Sequence, residues 1–215
     1  RPVLAYNNDD TLNPFATTTA VNAQLTGLLY DINFARYMYE STDTKRMSPW
    51  ASSYYYAYTG DKRAATAMTP YYADLIYHLG MFNPRPFLFY NTKAETERNG
   101  GPDGWDKTGL ILNDLLTELN KLAGYADREP ISLPLNWNSK YVLTGMYTNG
   151  RNLWRITPNT NVISRGEFML SESDPTFFVN GETVTFPGGK ILPEAEISIS
   201  GSVGYWVETA KDVMP

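Results

Sequence analysis

Residues 141–158 read YVLTGMYTNGRNLWRITP. Two runs rich in β-branched and aromatic residues stand on either side of Asn149-Gly150. This dipeptide is typical of a two-residue hairpin turn, because both of its residues accept the positive φ that such a turn requires. The stretch therefore predicts an antiparallel hairpin that pairs Tyr141–Met146 with Asn152–Ile156.

The same turn signal returns further along the chain. Asn180-Gly181 separates Phe177–Val179 from Thr183–Phe186. The residues from Pro130 onward carry strand and turn signals only, which is typical of antiparallel sheets. We therefore predict an antiparallel β-sandwich over 127–215.

The first 126 residues alternate helical and extended signals, an order typical of parallel βαβ units. The chain is therefore predicted to be α+β, with an α/β region over 1–126 and the β-sandwich as a second domain. The elements predicted before residue 126 are, in order, a helix from Thr17 to Ile32, a strand over 34–39, a loop or irregular helix over 47–58, a helix opened by Thr69-Pro70, a strand over 87–90 and a helix over 106–123.

The composition excludes several classes of protein. The chain has 215 residues, 23 acidic against 18 basic ones, one histidine and no cysteine. A net charge of -5 without a basic cluster argues against nucleic-acid binding. No apolar run reaches the ~20 residues that a membrane span needs. An acidic, cysteine-free chain rich in Tyr, Asn and Thr favours an exported bacterial protein, extracellular or at the cell surface, and its start at Arg1 indicates a processed or truncated product.

Glu40 and Asp43 are the candidate catalytic residues. A glycoside hydrolase uses one carboxyl group that protonates the leaving oxygen and a second that acts as nucleophile or base. Glu40 directly follows the predicted strand over 34–39, and the functional loops of parallel α/β units lie beyond the carboxyl ends of their strands. A solvated acidic loop or a helix cap is the alternative.

Four residues are candidates for binding a sugar: Trp50, Tyr55, Asn91 and Trp105. Trp50 and Tyr55 belong to the aromatic stretch 47–58, whose consecutive rings cannot all point into one core. Asn91 and Trp105 bound a polar loop, where an indole ring can stack on sugar CH groups while amides bind hydroxyls. Packing of the aromatic stretch against another domain or subunit is the alternative.

No metal site and no cofactor are predicted, since the acidic residues between 95 and 106 lack the spacing of a calcium-binding loop. His78 is interpreted as a structural residue of a helix, because a catalytic histidine needs partners that the sequence does not indicate. Trp137 and Trp154 are assigned to the core of the β-rich part, with a carbohydrate-binding face as the alternative.

Three features follow one another in the chain: RPFLFYN at 85–91, Gly104–Asp106 before an amphipathic helix, and hairpins from Pro130. This order resembles the last strand–helix units of an extracellular (β/α)8 glycoside-hydrolase-like barrel that passes into a C-terminal β-sandwich. The resemblance implies that Glu40 and Asn91 lie on the catalytic face of the barrel. Because 215 residues cannot supply eight strands and a sandwich, it also implies either a reduced relative of the barrel or a fragment whose fold a partner chain or a missing segment completes.

A second resemblance covers residues 9–31. The segment Asp10–Pro14, followed by the Leu-rich stretch from Leu25 to Asp31, is similar to the start of extracellular oligopeptide-type solute-binding proteins.

The leading hypothesis is an exported protein that binds a glycan or another small polar ligand, with hydrolysis by a carboxylate pair as a possible activity. The alternatives are a non-catalytic solute-binding or surface module and an assembly subunit.

Overall fold

The computed structural model of the chain describes residues 18–41, 50–52, 73–83, 88–90, 113, 117, 128–159, 165–193 and 203–215, and only the backbone of 18–28, 50–52 and 88–90. These residues combine helices with antiparallel sheets, an α+β arrangement as predicted. No helix in the described ranges is both long and apolar enough to cross a membrane.

The elements are, in chain order, α1 (Thr18–Ser41), β1 (Trp50–Ser52), α2 (residues 73–80), β2 (Leu88–Tyr90), β3 (Glu129–Pro130), β4 (Tyr141–Thr148), β5 (Arg151–Pro158), α3 (Arg165–Phe168), β6 (Met169–Ser171), β7 (Thr176–Val179), β8 (Glu182–Thr185), β9 (Lys190–Leu192) and β10 (Tyr205–Ala210). Residues 113 and 117 are also helical and fall inside the helix predicted over 106–123.

Helix α1 is longer than the sequence predicts. It runs for 24 residues and includes 34–39, so the predicted strand there is wrong. The reason lies in the helix faces: Asn33 and Arg36 are buried, whereas Phe34 and Tyr37 are exposed. A helical stripe whose buried positions are partly polar does not show the apolar period by which helices are recognised.

Both predicted hairpins are confirmed. β4 pairs with β5 from Tyr141↔Pro158 to Thr148↔Arg151, which extends the first predicted strand at its end and the second predicted strand at both ends. The turn residues Asn149 and Gly150 have φ values of 50° and 78°. β7 and β8 are joined in the same way, through two residues of positive φ at 180 and 181.

The parallel pairing involves a different strand from the predicted one. β1 and β2 pair in parallel, with Trp50 opposite Leu88, and α2 lies between them in the chain. The predicted strand at 87–90 is therefore present, while its partner comes from the stretch predicted as a loop or irregular helix. In the described part of the chain, this pair is the only parallel one.

The antiparallel strands form a five-stranded sheet, β3-β4-β5-β10-β9, and a three-stranded sheet, β6-β7-β8. Alternate residues of β5 and β10 point to opposite faces of the larger sheet. One face contributes Trp154 and Val207 to a hydrophobic cluster whose other members come from α3, β7, β8 and the residue after β8: Phe168, Phe177, Val179, Val184 and Phe186, together with Ile156 and Tyr205.

The opposite face of the larger sheet is in contact with the helices. α2 bonds to this face through His78, which contacts Thr144 and Thr157. From α1, Asn33 donates to the Asn136 carbonyl in the segment before β4, and Arg36 donates to the Leu143 carbonyl in β4. Elements on both sides of residue 126 are thus joined by buried contacts, and the division into two domains stays a prediction.

Candidate ligand-binding surface

Helix α1 exposes large apolar side chains on one face. Tyr30, Phe34, Tyr37 and Met38 are exposed by 41, 43, 53 and 39%. Spacings of three and four residues place these side chains on the same side of a helix. Because a soluble protein rarely leaves a contiguous apolar area in water, this face is a candidate interaction site.

A tryptophan from outside α1 extends this face. The Trp137 ring lies 5.3 Å from the Tyr30 ring, centre to centre, with 49° between their planes. Trp137 is 43% exposed, and Leu135, two residues earlier in the chain, is 39% exposed. The assignment of Trp137 to the core is therefore wrong, whereas Trp154 is fully buried as predicted. We call Tyr30, Phe34, Tyr37, Met38, Leu135 and Trp137 the aromatic surface.

Asn33 holds the segment that carries Trp137 against α1. Its amide nitrogen donates to the Asn136 carbonyl (2.6 Å) and to the Leu29 carbonyl (2.9 Å). Its amide oxygen accepts from the Asn136 backbone N–H (3.0 Å) and from Arg36 (3.2 Å). Both donor hydrogens and both lone pairs of the amide are therefore used, so the buried side chain leaves no polar group unsatisfied.

Arg36 fixes the same segment one helical turn later. Its guanidinium donates to the Pro134 carbonyl (3.1 Å) and to the Leu143 carbonyl. Burial lowers the pKa of Arg36 to about 10, an effect that the charge of Glu40 partly offsets. The group stays protonated at neutral pH, and its hydrogen bonds anchor both ends of the chain that runs from Pro134 into β4.

Glu40 lies in the last turn of α1 and not after a strand, so the position that was predicted for it is wrong. The carboxyl group is exposed, and its Oε1 atom accepts a hydrogen bond of 2.6 Å from the Ser132 hydroxyl. Glu40 is three residues from Tyr37, one helical turn along α1 from the aromatic surface. A carboxylate and a hydroxyl thus border the exposed rings.

The other predicted site residues fall outside what the structure describes. Asp43, Tyr55, Asn91 and Trp105 are not among the described residues, and Trp50 is described only as the first backbone position of β1. Their roles stay predictions. The acidic residues considered for calcium lie outside as well, and the described residues hold no cluster of three metal-binding side chains.

Sequence reasoning missed Asn33, Arg36 and the exposure of Trp137. A usable signal was present in α1, because Leu29, Ile32, Asn33 and Arg36 keep the spacing of one helix face. Predicting that Asn33 and Arg36 are buried requires knowledge of the backbone groups that they bond to, which only the folded chain supplies.

No known protein family, characterised protein or solved structure matches this chain.

Proposed function

We propose that this protein binds a glycan on the aromatic surface. The observation that carries the proposal is the exposed pair of Tyr30 and Trp137, two rings held side by side at the protein surface. Flat aromatic rings in water suit the CH faces of sugar rings, which stack on them. A binding site also needs polar groups that fix orientation. Asn136 and Asn138 flank Trp137 in the chain, Glu40 follows Tyr37 by three residues, and all three polar residues are exposed.

The backbone that carries Trp137 is held in place without a ligand. Asn33 and Arg36 hold the backbone of the Trp137 segment by partly buried hydrogen bonds. A site of this kind loses little conformational entropy on binding, because its ring positions need not be ordered by the ligand. Such pre-organisation favours a ligand-binding role over incidental exposure of apolar side chains.

The test compares three variants on a panel of soluble and insoluble polysaccharides. In Trp137→Ala and Tyr30→Ala, affinity measured by calorimetry is expected to fall by about 5- to 30-fold, since loss of a central aromatic contact costs about 1–2 kcal/mol. Phe178→Ala is the matched control, because Phe178 is an aromatic residue of similar exposure on the three-stranded sheet.

Two results would contradict glycan binding. One is the absence of binding to every glycan of the panel, and the other is an equal loss of affinity in Phe178→Ala. If Trp137→Ala instead abolishes self-association or capture of a protein partner, the aromatic surface is an assembly interface, which is the alternative that the sequence left open.

Hydrolysis is a second candidate, favoured by the position of Glu40 beside the aromatic surface. Glu40 and Asp43 would be the carboxylate pair that glycoside hydrolysis requires. On the same panel, Glu40→Gln is expected to bind as the unmodified chain does and to release no product. Equal turnover in Glu40→Gln would remove Glu40 from the catalytic assignment.

We also propose the domain folds and the location that the sequence predicts for this protein. Side chains of both antiparallel sheets share one hydrophobic cluster, which supports a β-sandwich over 127–215. The parallel pair of β1 with β2 supports the βα units predicted over 1–126. The acidic, cysteine-free composition supports an exported protein outside the cell.

A further inference from the structure

A buried polar network joins helix α2 to the five-stranded sheet. His78 is fully buried, and its Nδ1 atom lies 2.8 Å from Thr144 Oγ1 on β4. Its Nε2 atom lies 2.9 Å from Thr157 Oγ1 on β5. One side chain of α2 therefore bridges two neighbouring strands.

The network continues from Thr157 to a buried ion pair. The Thr157 hydroxyl donates to Asp74 Oδ1 (3.1 Å), an atom that also accepts from Arg155 Nε (3.0 Å) and from the terminal guanidinium nitrogen of Arg155. Asp74 and Arg155 are fully buried. The Arg155 guanidinium lies over the rings of Tyr77 and Trp206, 5.0 and 4.8 Å from their centres.

These contacts determine where the proton of the neutral imidazole lies. A hydroxyl has one hydrogen, and that of Thr157 is donated to Asp74. Thr157 can therefore only accept from His78, so Nε2 carries the proton. Nδ1 is then the acceptor, and the Thr144 hydroxyl donates to it. All donors along this path point the same way, from Thr144 through His78 and Thr157 to Asp74.

A second proton on His78 conflicts with this arrangement. It would sit on Nδ1 and would force the Thr144 hydroxyl to give up its role as donor. The added positive charge would also lie near two guanidinium groups, those of Arg155 on β5 and Arg36 on α1. The Asp74 carboxylate lies one hydrogen bond beyond Thr157 and is paired with Arg155, so its attraction offsets part of the repulsion from Arg155, and burial of the imidazole is the largest obstacle to the second proton.

We propose that His78 is an acid-sensitive lock between helix α2 and the sheet, which holds only while the imidazole is neutral. The proposal does not depend on glycan binding. Burial, and then the charges of Arg155 and Arg36, keep the pKa of His78 well below its ordinary value of 6.5. The unfolded chain therefore binds one more proton than the folded chain at pH values between these two pKa values.

The sign of the pH effect follows directly. Above pH 6.5 both states hold a neutral imidazole, and the contribution of His78 to stability is complete. As the pH falls below 6.5, the unfolding equilibrium constant is expected to rise by up to about 10-fold per pH unit, until the folded pKa is reached. The free energy of unfolding is thus expected to decrease at mildly acidic pH.

The first experiment follows the imidazole itself. His78 is the one histidine of the sequence, so its ¹H and ¹⁵N ring signals need no assignment by mutation. In the folded full-length chain, the ring is expected to remain the neutral Nε2–H tautomer from pH 7.5 to 5.5. A ring that titrates near pH 6.5 while the chain stays folded, or that carries its proton on Nδ1, would overturn the proposal.

The second experiment measures urea unfolding at pH 7.5, 6.5 and 5.5 for the full chain and for His78→Gln. The variant has no group that titrates at residue 78. Below pH 6.5 its unfolding equilibrium constant is therefore expected to rise less steeply than that of the full chain, by up to about 10-fold less per pH unit. Equal pH slopes in the two proteins would overturn the proposal. Should the variant fail to fold, the ring signals of the unmodified chain decide alone.

The third experiment localises the opening. Amide hydrogen exchange, corrected for its intrinsic pH dependence, is expected to accelerate in residues 75–82 between pH 6.5 and 5.5 by more than in the β7–β8 hairpin. Equal acceleration in both segments would mean that His78 affects global unfolding only, and the lock at α2 would be refuted.

Discussion

At the scale of single residues, Gly204 shows how tightly the polar network is enclosed. A Cβ atom at this position would lie 2.5 Å from Thr157 Oγ1 and 2.8 Å from both Asp74 Oδ1 and Arg155 Nη2. Real Cβ atoms do not approach polar atoms so closely, and none of the three partners can move without losing a buried hydrogen bond. Glycine at 204 is therefore required by space and not by backbone conformation.

We predict that Gly204→Ala lowers the free energy of unfolding by about 1–3 kcal/mol, the usual cost of overpacking a core. Gly166→Ala is the control, because a Cβ atom at this exposed position meets no atom within 4 Å. Because Gly166 lies in α3, this variant is expected to be neutral or stabilised by up to about 1 kcal/mol. Urea unfolding of both variants measures the difference, and similar values would contradict the close packing around Gly204.

Trp154 and Trp137 show that residue type alone does not predict whether a side chain is buried. Trp154 is buried in the hydrophobic cluster, and its Nε1 atom donates to Thr209 Oγ1 at 2.8 Å. Trp137 belongs to the same β-rich part of the chain, yet it is exposed. The position of Trp154 follows from its strand beside the Asn149-Gly150 turn, whereas Trp137 lies in a segment without regular structure, where no period indicates a direction.

At the scale of elements, α1 and the segment from Pro134 to Asn138 form one unit. Asn33 supplies two of the bonds that join them, since it donates to the Asn136 carbonyl and accepts from the Asn136 N–H. Trp137 follows Asn136 directly, so its place beside Tyr30 depends on these bonds. Asn33 is therefore a positioning residue for the aromatic surface.

We predict that Asn33→Ala weakens glycan binding by more than its loss of stability explains. Removal of the amide breaks two partly buried hydrogen bonds with the Asn136 backbone, each worth about 0.5–1.5 kcal/mol. The chain is expected to stay folded, while the Trp137 fluorescence, isolated by comparison with Trp137→Phe, shifts toward that of a freely hydrated indole. Calorimetry on the glycan that binds best measures the loss of affinity.

The control for Asn33→Ala is Val184→Ala, which opens a cavity in the hydrophobic cluster around β8. Val184 lies opposite Phe177 in the β7–β8 pair, and its side chain takes no part in the hydrogen bonds that hold Trp137, so this variant is expected to lose stability and keep its affinity. Equal losses of affinity in the two variants would show that binding responds to stability in general, and the positioning role of Asn33 would be refuted.

At the scale of the whole molecule, both faces of β5 and β10 are buried. Tyr205 belongs to the hydrophobic cluster, while its neighbour Trp206 faces the helices and lies 6.0 Å from Tyr77 on α2, centre to centre. Met146 and Leu153 are paired and fully buried on the Trp206 side of the sheet. The central strands are thus covered by elements from both sides of residue 126.

We predict that the fragment 127–215 does not fold by itself as the intact chain does. Without α1 and α2, Trp206, Met146 and Leu153 would meet water, and Arg155 would lose its ion pair with Asp74. The fragment is expected to bind a hydrophobic dye and to lack a cooperative unfolding transition, as partly folded states do. Cooperative unfolding with native-like near-ultraviolet dichroism would instead support an independent domain after residue 126.

Features that depend on residues close together in the sequence were predicted correctly, whereas features that depend on distant residues were not. The two Asn-Gly hairpins depend on neighbouring residues, and both are confirmed with their turn residues at positive φ. The end of α1 depends on what covers it, because Asn33 and Arg36 are satisfied by the backbone of residues about 100 positions away. Local patterns cannot indicate such partners, so the strand predicted over 34–39 was wrong.

The sequence by itself determined the α+β class, the hairpins and the buried place of Trp154, since each follows from local periodicity or from turn chemistry. Only the tertiary structure decided which polar residues are core and which aromatic residues are surface. A buried amide, guanidinium or imidazole is stable only where distant groups complete its hydrogen bonds. For that reason Asn33, Arg36 and His78 acquire their roles from the fold, and Tyr30 and Trp137 form one surface only after α1 packs against the segment before β4.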